Sequence, residues 1–122
     1  MGMGATVCPK FEKAMQFIGK RWTGLIVHQL LSGPKRFCEI EHALPISGRL
    51  LSERLKELEK NGMVLRKVYP ETPVRVEYSL TEKGMALSPV IRELEKWASR
   101  YIEIDQLSQD NTVATVPKGE NE

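Results

Sequence analysis

The chain has 122 residues, 41% of them hydrophobic and 28% charged, a composition typical of one soluble globular domain. No apolar run approaches the roughly 18 residues of a membrane span, and no signal-peptide pattern opens the chain, so a cytoplasmic protein is expected. The net charge is +2, but residues 1–104 hold 17 of the 18 Lys and Arg and only 12 of the 16 acids. We therefore expect a mildly basic folded domain over 1–104 and an acidic, disordered tail over 105–122.

The first predicted helix begins at Pro9 and ends at Gly19. Proline is favoured at the first helical position because the N–H that it lacks would have no partner there. A second helix is expected at about 22–32 and a third at about 37–44, since apolar residues recur in both at helical spacing. The apolar side of the second helix is predicted to contain Trp22, Leu25, Ile26, Val27, Leu30 and Leu31.

The fourth predicted helix, within residues 46–62, has clear start and stop signals. Pro45 disfavours helix before it, Ser47 is a good N-cap, and the pair 61–62 (Asn-Gly) ends it. At 100° per residue its leucines form one stripe, and the opposite face is mostly basic and polar. That opposite face carries Arg49, Ser52, Glu53, Lys56 and Lys60. Such a helix suits a major groove, although an ordinary solvated surface helix shows the same pattern.

After Gly62 the hydrophobic period changes from 3.6 to about 2, which predicts strands at 63–69 and 74–80 joined by a Pro-rich loop. A long final helix follows at about 82–104, and Pro89 should bend it or mark the junction of two segments. The third and fourth helices form a helix-turn-helix, and the hairpin is its wing. The predicted fold is α+β but mostly α, a winged helix-turn-helix with flanking N- and C-terminal dimerisation helices.

This architecture predicts a surface that binds double-stranded DNA through cations and hydroxyl groups. Arg54 lies near the apolar side of the fourth helix, and this position is compatible both with a packed salt bridge and with a phosphate contact. Arg75 faces away from Val74 and Val76 and is expected to reach a minor groove or the DNA backbone. The predicted DNA-binding residues are Lys35, Arg36, Ser47, Arg49, Ser52, Arg54, Lys56 and Arg75.

The last helix carries more apolar surface than a lone helix needs, so we expect it to pack, together with the first helix, against a second copy of the chain. Burial within one copy is the alternative. A homodimer also suits the chemistry, because two-fold symmetry doubles a short reading site into a palindromic operator. The predicted dimer residues are Phe11, Met15, Leu87, Val90, Ile91, Leu94, Trp97 and Tyr101.

The two cysteines differ in their surroundings. Cys8 precedes Pro9 at a helix N-terminus, where the helix dipole and the nearby Lys10 favour the reactive thiolate, although an inert cap cysteine is the alternative. Cys38 is expected to be a half-buried packing residue. Cys38 and His42 lie one helical turn apart, but two ligands do not close a zinc site, so neither a metal nor a cofactor is expected.

His28 and the class of protein can also be interpreted from the sequence. His28 lies beside apolar residues and is expected to be a satisfied core or edge histidine. No Ser-His-Asp order, phosphate loop, zinc quartet or convergent carboxylate pair is present, so an enzyme is not expected. A winged helix that binds protein rather than DNA is the alternative from another class, and the basic face of the fourth helix argues against it.

From residue 20 to residue 97 the sequence resembles the HxlR family of bacterial winged helix-turn-helix regulators, relatives of the MarR group. The resemblance rests on runs spread along the chain. They are 19–22 (Gly-Lys-Arg-Trp), 33–37 (Gly-Pro-Lys-Arg-Phe), 46–47 (Ile-Ser), 51–58 (Leu-Ser-Glu-Arg-Leu-Lys-Glu-Leu), 62–64 (Gly-Met-Val), 70–81 (Pro-Glu-Thr-Pro-Val-Arg-Val-Glu-Tyr-Ser-Leu-Thr) and Trp97.

The run 8–10 (Cys-Pro-Lys) resembles the quinone- and electrophile-sensing branch of that family. This resemblance implies a repressor of detoxification genes, such as those for quinone reductases and dioxygenases, that leaves its operator when Cys8 reacts. Some members of the branch carry a second cysteine late in the final helix. Here residues 97–102 contain none, which excludes that bridge. A regulator gated by a noncovalent ligand is the alternative within the same class.

Overall fold

The structure, a computed structural model, describes residues 8–104 as helices and a three-stranded antiparallel sheet. The expected disordered tail lies outside the described residues. Between residues 8 and 104, every helix is too short or too polar to cross a bilayer. The elements in chain order are α1 (Pro9–Ile18), α2 (Thr23–Leu30), β1 (Lys35–Arg36), α3 (Phe37–Ala43), α4 (Gly48–Lys60), β2 (Val64–Tyr69), β3 (Arg75–Leu80), α5 (Glu82–Met85) and α6 (Ser88–Tyr101).

The predicted signals at both ends of α4 are confirmed. The hydroxyl oxygen of Ser47 accepts a 3.1 Å hydrogen bond from the backbone N–H of Leu50, which satisfies one of the orphan donors of the first turn. After Asn61 the backbone takes φ +75° at Gly62, a conformation that glycine adopts without a Cβ clash. The helix therefore begins and ends close to where its local sequence predicts.

A strand that the sequence pattern did not predict, β1, has two residues and lies directly before α3. The sheet order is β1-β3-β2, with Lys35 opposite Tyr78 and Arg36 opposite Glu77. A two-residue segment has no periodicity, so its extended conformation depends on the edge of β3 that it pairs with. This pairing attaches the start of the helix-turn-helix to the wing.

The last predicted helix is divided into two helices, α5 and α6. Of the two effects expected of Pro89, the junction of two segments is the one observed. The segment breaks at Ala86 and Leu87, and α6 restarts with Pro89 in its first turn. In the first turn of a helix the missing N–H of proline costs nothing, whereas inside a continuous helix it would remove a hydrogen bond.

One hydrophobic core lies beneath α2, α3 and α4. Leu25 is an exception to the predicted apolar side of α2, because its side chain is 50% exposed. Ile26, Val27 and Leu30 define the buried arc, and Leu25 lies outside it. The buried apolar residues are Trp22, Ile26, Val27, Leu30, Ile40, Leu44, Ile46, Leu50, Leu51, Leu55, Leu58, Met63, Val64 and Ile91.

The expectation for Cys38 was wrong, because its thiol is exposed rather than half-buried. Ile40 is the buried residue of α3, and Phe37 packs against the core beside it. Cys38 lies two residues before Ile40, about 200° around the helix, and therefore faces solvent. His28 is satisfied at the edge of the core, with Nε2 2.7 Å from a carboxylate oxygen of Glu95 on α6.

Candidate DNA interface and thiol site

The turn between α3 and α4 is anchored at both of its apolar positions. Leu44 and Ile46 are buried, and the N–H of Ile46 donates to the carbonyl oxygen of Leu44 over 2.8 Å. Because the core holds both residues and also the leucine stripe of α4, the opposite face of α4 is left at the surface. This arrangement gives the helix-turn-helix a fixed geometry.

The exposed face of α4 carries Arg49 near its N-terminus and Lys56 one to two turns later. The Arg49 side chain is 72% exposed and pairs with Glu53 at 3.4 Å, an exposed ion pair of a kind that contributes little stability. Ser52 is half-buried on the same side. The Ser47 oxygen accepts the capping hydrogen bond, so its own O–H is left to donate to a phosphate or base.

Arg54 differs from these residues because its side chain is turned toward the body of the protein. It is only 14% exposed, and its Nε donates to the carbonyl oxygen of Arg21 over 3.1 Å. Its Nη1 also lies 3.5 Å from Glu57. Of the two roles predicted for Arg54, the geometry matches the packed salt bridge.

Lys35 and Arg36 form β1, between the sheet and α3. Lys35 is half-buried, and its Nζ donates to the hydroxyl of Ser32 over 3.0 Å. Arg36 is exposed, and its backbone N–H donates to Glu39 over 2.8 Å at the start of α3. Both cations thus lie where the wing meets the helix-turn-helix.

Arg75, at the start of β3, binds carboxylates of its own chain. Its guanidinium donates to Glu71 in the hairpin loop and to Glu77 on β3, and it stacks on the Tyr69 ring. The hydrogen bond to Arg75 lowers the pKa of Glu71, and the same pairing raises the pKa of Arg75. The predicted contact of Arg75 with DNA would require it to leave these partners.

Two exposed cations on β2, Arg66 and Lys67, are absent from the DNA-binding residues predicted from the sequence. They lie opposite Tyr78 and Glu77 in the register of the hairpin. Adjacent residues of a strand point to opposite faces, so a pair of cations places one on each face of the wing. The alternation of side chains along a strand could therefore have identified Arg66 and Lys67 from the sequence.

Cys8 is the N-cap of α1 and its thiol is exposed. The Cys8 carbonyl oxygen accepts a 2.9 Å hydrogen bond from the N–H of Glu12, so the residue is part of the first turn. None of the residues of α1 is buried in one copy of the chain. A group added to the Cys8 sulfur would therefore alter the start of a helix that the core holds only loosely.

Helices α1 and α6 each expose an apolar face. Ile91 is 5% exposed and belongs to the core, and Leu87 packs against that core, so these two predicted dimer residues are held within one copy. The rings of Trp97 and Tyr101 are 5.9 Å apart on the outer side of α6. The other predicted dimer residues are each at least 50% exposed, namely Phe11, Met15, Val90, Leu94, Trp97 and Tyr101.

Comparison with known proteins agrees with this geometry. The family model of HxlR-like helix-turn-helix proteins matches residues 17–106. YvaP of Bacillus subtilis (strain 168), an uncharacterized HTH-type transcriptional regulator, is 62% identical over 98 residues, 80% of this chain and 91% of YvaP. YodB of the same organism, also an HTH-type transcriptional regulator, is 57% identical over 102 residues, 83% of this chain and 91% of YodB.

Solved structures give the same result. Reduced YodB matches with a TM-score of 0.72 and 56% identity, over 80% of this chain and 96% of the YodB chain. Quinone-bound YodB matches with a TM-score of 0.68 and 51% identity, over 78% of this chain and 100% of that one. The redox regulator HypR in its oxidized form matches with a TM-score of 0.74 and 38% identity, over 80% and 100%.

The relatives with assigned roles are transcriptional regulators and not enzymes, as the sequence predicts. The winged helix-turn-helix fold predicted from the element order is likewise confirmed. The chain belongs to the HxlR family of helix-turn-helix proteins and is a DNA-binding transcriptional regulator.

Proposed function

We propose that two copies of the chain bind a palindromic operator, each with the exposed face of α4 in a major groove. The observation that carries the proposal is the division of α4 into a buried leucine stripe and a solvent-facing side with Arg49 at its N-terminal end. The N-terminal residues of a recognition helix approach base edges, and an arginine there can fork onto guanine. The proposed contacts on α4 are Ser47, Arg49, Ser52 and Lys56.

Lys35 and Arg36 are proposed to bind phosphates beside the recognition helix, because β1 places both at the junction of the sheet and α3. Arg54 has a small exposed fraction and is bonded to Arg21 and Glu57, so it is a weaker candidate for a DNA contact. The proposal therefore gives Arg54 the task of holding α4 in place.

The dimer is proposed to form through the exposed apolar faces of α1 and α6. Burial of aromatic and aliphatic side chains on association is favourable at about 25 cal/mol per Å² of apolar surface. Two large apolar faces on one small monomer are typical of a protein–protein contact. Leu87 and Ile91 would support this contact from the core side of α6 and not from within the interface.

The regulatory signal is proposed to be the reaction of Cys8 with a quinone or another electrophile. The Cys8 sulfur adds to a ring carbon of the quinone, the thiol proton passes to one ring oxygen, and the hydrogen of the attacked carbon passes to the other ring oxygen. The product is a hydroquinone thioether, in which the quinone ring is the group reduced, so no external oxidant is needed. Support comes from the exposed Cys8 thiol at the start of α1 and from YodB, which has been solved with quinone bound. A disulfide of Cys8 would need an oxidant such as a peroxide.

The proposed outcome is release of the operator, and hence derepression of detoxification genes. Cys8 occupies the N-cap position of α1, and α1 contributes one of the two proposed dimer faces, so a bulky adduct would change how the two copies meet. Because the two reading helices must match half-sites about one helical turn apart, a change in their spacing lowers affinity for the operator.

The test is a gel shift on the DNA upstream of the protein's own gene, with and without benzoquinone. Wild-type protein and Cys38→Ser protein should both bind and both release the DNA on treatment, whereas Cys8→Ser protein should bind and stay bound. Mass spectrometry should find one quinone adduct on Cys8 at the dose that releases the DNA. Release from Cys8→Ser protein would favour gating by a noncovalent ligand, and no salt-dependent binding to duplex DNA would favour a protein-interaction role.

A further inference from the structure

The wing, defined here as β2, the loop 70–74 and β3, contains a four-residue cluster centred on Arg75. The Nε and Nη2 atoms of Arg75 donate to the two carboxylate oxygens of Glu71, over 3.2 and 2.8 Å. Its Nη1 donates to Glu77 over 2.6 Å, and its guanidinium carbon lies 3.7 Å from the centre of the Tyr69 ring. One side chain thus joins the last residue of β2, the loop and β3.

This cluster depends on the geometry of a guanidinium group. The pairing with Glu71 uses two parallel N–H groups on two carboxylate oxygens, an arrangement that fixes direction as well as distance. A lysine would keep the positive charge, but a single ammonium cannot form that fork and also stack on a ring. The cluster therefore constrains the hairpin tip in a way that charge alone does not.

The same contacts make Arg75 a poor ligand for DNA. Its side chain is 23% exposed, its Nε/Nη2 edge is occupied by Glu71, and Nη1 already donates to Glu77. A phosphate that approached this guanidinium would have to compete with the carboxylates of Glu71 and Glu77. Arg66 and Lys67 on β2 are more exposed than Arg75. Arg66 lies on the other face of the hairpin, whereas Lys67 lies on the face of the cluster, opposite Glu77 and with its Nζ 5.2 Å from the centre of the Tyr69 ring.

We propose that Arg75 is a positioning residue that holds the wing in shape, and that the wing meets the DNA backbone through Arg66 and Lys67. The inference rests on the proposed binding of duplex DNA, but not on the Cys8 signal. It reverses the role expected for Arg75 from the sequence and adds two contacts that the sequence analysis did not include.

The experiment measures affinity for a duplex taken from the DNA upstream of the protein's own gene, between 50 and 200 mM salt. Arg75→Gln and Arg75→Lys should lose the same affinity, about threefold to tenfold, which is the cost of ordering a few freed side chains on binding. Neither should change the slope of log affinity against log salt. Arg66→Gln and Lys67→Gln should each lower that slope by about 0.9, the effect of one lost phosphate contact.

A second readout separates a loose wing from a misfolded protein. In both Arg75 variants the backbone amides of residues 70–74 should exchange with solvent faster than in the wild type, while the thermal midpoint of the domain changes little. The proposal is overturned if Arg75→Gln lowers the salt slope and Arg75→Lys restores it. Wild-type affinity in both Arg75 variants, or unchanged slopes in Arg66→Gln and Lys67→Gln, would also overturn it. A wild-type chain without salt-dependent binding would instead contradict the proposed duplex binding itself.

Discussion

The Nε atom of Arg54 on α4 donates a 3.1 Å hydrogen bond to the carbonyl oxygen of Arg21, in the turn between α1 and α2. Glu57, one turn later on α4, extends this junction with ion pairs to Arg54 at 3.5 Å and to Lys20 at 2.9 Å. The Arg21 guanidinium in turn lies 4.8 Å from the centre of the Trp22 ring. Helix α4 is therefore attached to the turn that follows α1, the helix that begins next to Cys8.

Replacing Arg54 with methionine should destabilise the fold by about 1–2 kcal/mol, because the charge-assisted hydrogen bond to the Arg21 carbonyl and the ion pair with Glu57 are both lost. Arg49→Met is the matched control, since that side chain is 72% exposed and its loss should change stability by no more than about 0.5 kcal/mol. Urea unfolding of the two variants gives the comparison. Equal losses of stability would show that the Arg54 junction contributes nothing beyond an ordinary surface arginine.

Gly84 in α5 is buried, and an added methyl group would collide with the carbonyl oxygen of Met63 and approach the Leu80 side chain at 2.9 Å. Because a backbone atom cannot move aside cheaply, Gly84→Ala should destabilise the protein by about 1–3 kcal/mol. Gly24→Ala should have the opposite sign, roughly 0.5–1 kcal/mol of stabilisation, because alanine favours helix. Among residues 8–104, no atom outside the adjoining part of α2 lies within 4 Å of the added carbon. Thermal and urea unfolding test both substitutions, and a stabilised Gly84→Ala protein would contradict the close contact of Gly84 with Met63 and Leu80.

Arg49→Ala should weaken binding to operator DNA by about tenfold to a hundredfold, the usual effect of losing a forked contact to a base or phosphate. Lys60→Ala removes a positive charge from the other end of α4. It should change affinity much less, because the proposed docking brings the N-terminal part of the helix closest to the bases. Fluorescence anisotropy with a labelled duplex gives both affinities. Overlapping binding curves for Arg49→Ala and the wild type would remove Arg49 from the interface.

Leu94→Asp should shift the protein from dimer to monomer in sedimentation experiments, because it places a charge at the centre of the exposed apolar face of α6. The side chain is 55% exposed in one copy, so the monomer should still fold. Leu65→Asp on β2 is the control, with a leucine of similar exposure, 53%, away from α1 and α6. A Leu94→Asp protein that sediments like the wild type would exclude this face from the dimer contact.

The ion pair between Glu71 and Arg75 predicts a pH dependence of stability. The hydrogen bond from Arg75 lowers the pKa of the Glu71 carboxyl below its ordinary value of 4.5. A carboxyl with a lowered pKa in the folded state stabilises that state above its ordinary pKa, and the effect disappears as the pH falls through the folded value. The stability advantage of the wild type over Glu71→Gln should therefore be present at neutral pH and shrink on acidification below about 4.5. An advantage that grows toward acid pH would have the wrong sign.

Much of the fold follows from local sequence. Ser47 and Gly62 mark the ends of α4, and Pro89 marks the start of α6, because capping and proline chemistry act over a few residues. The change of period after Gly62 predicts both long strands. The exposure of Leu25 could not be predicted in this way, because it depends on which arc of α2 the core covers. The strand β1 could not be predicted either, because it depends on the free edge of β3.

In the candidate site, too, some features follow from local sequence and others depend on tertiary contacts. The sequence by itself determined that one side of α4 is apolar and the other basic, because a helix repeats every 3.6 residues and its leucines recur at that spacing. Only the tertiary structure decided which cations remain available at the surface. Arg54 is bonded to a carbonyl 33 residues earlier in the chain, and Arg75 folds onto the carboxylates of its own hairpin. Periodicity assigns a residue to a face, but hydrogen-bond partners depend on which segments the fold brings together.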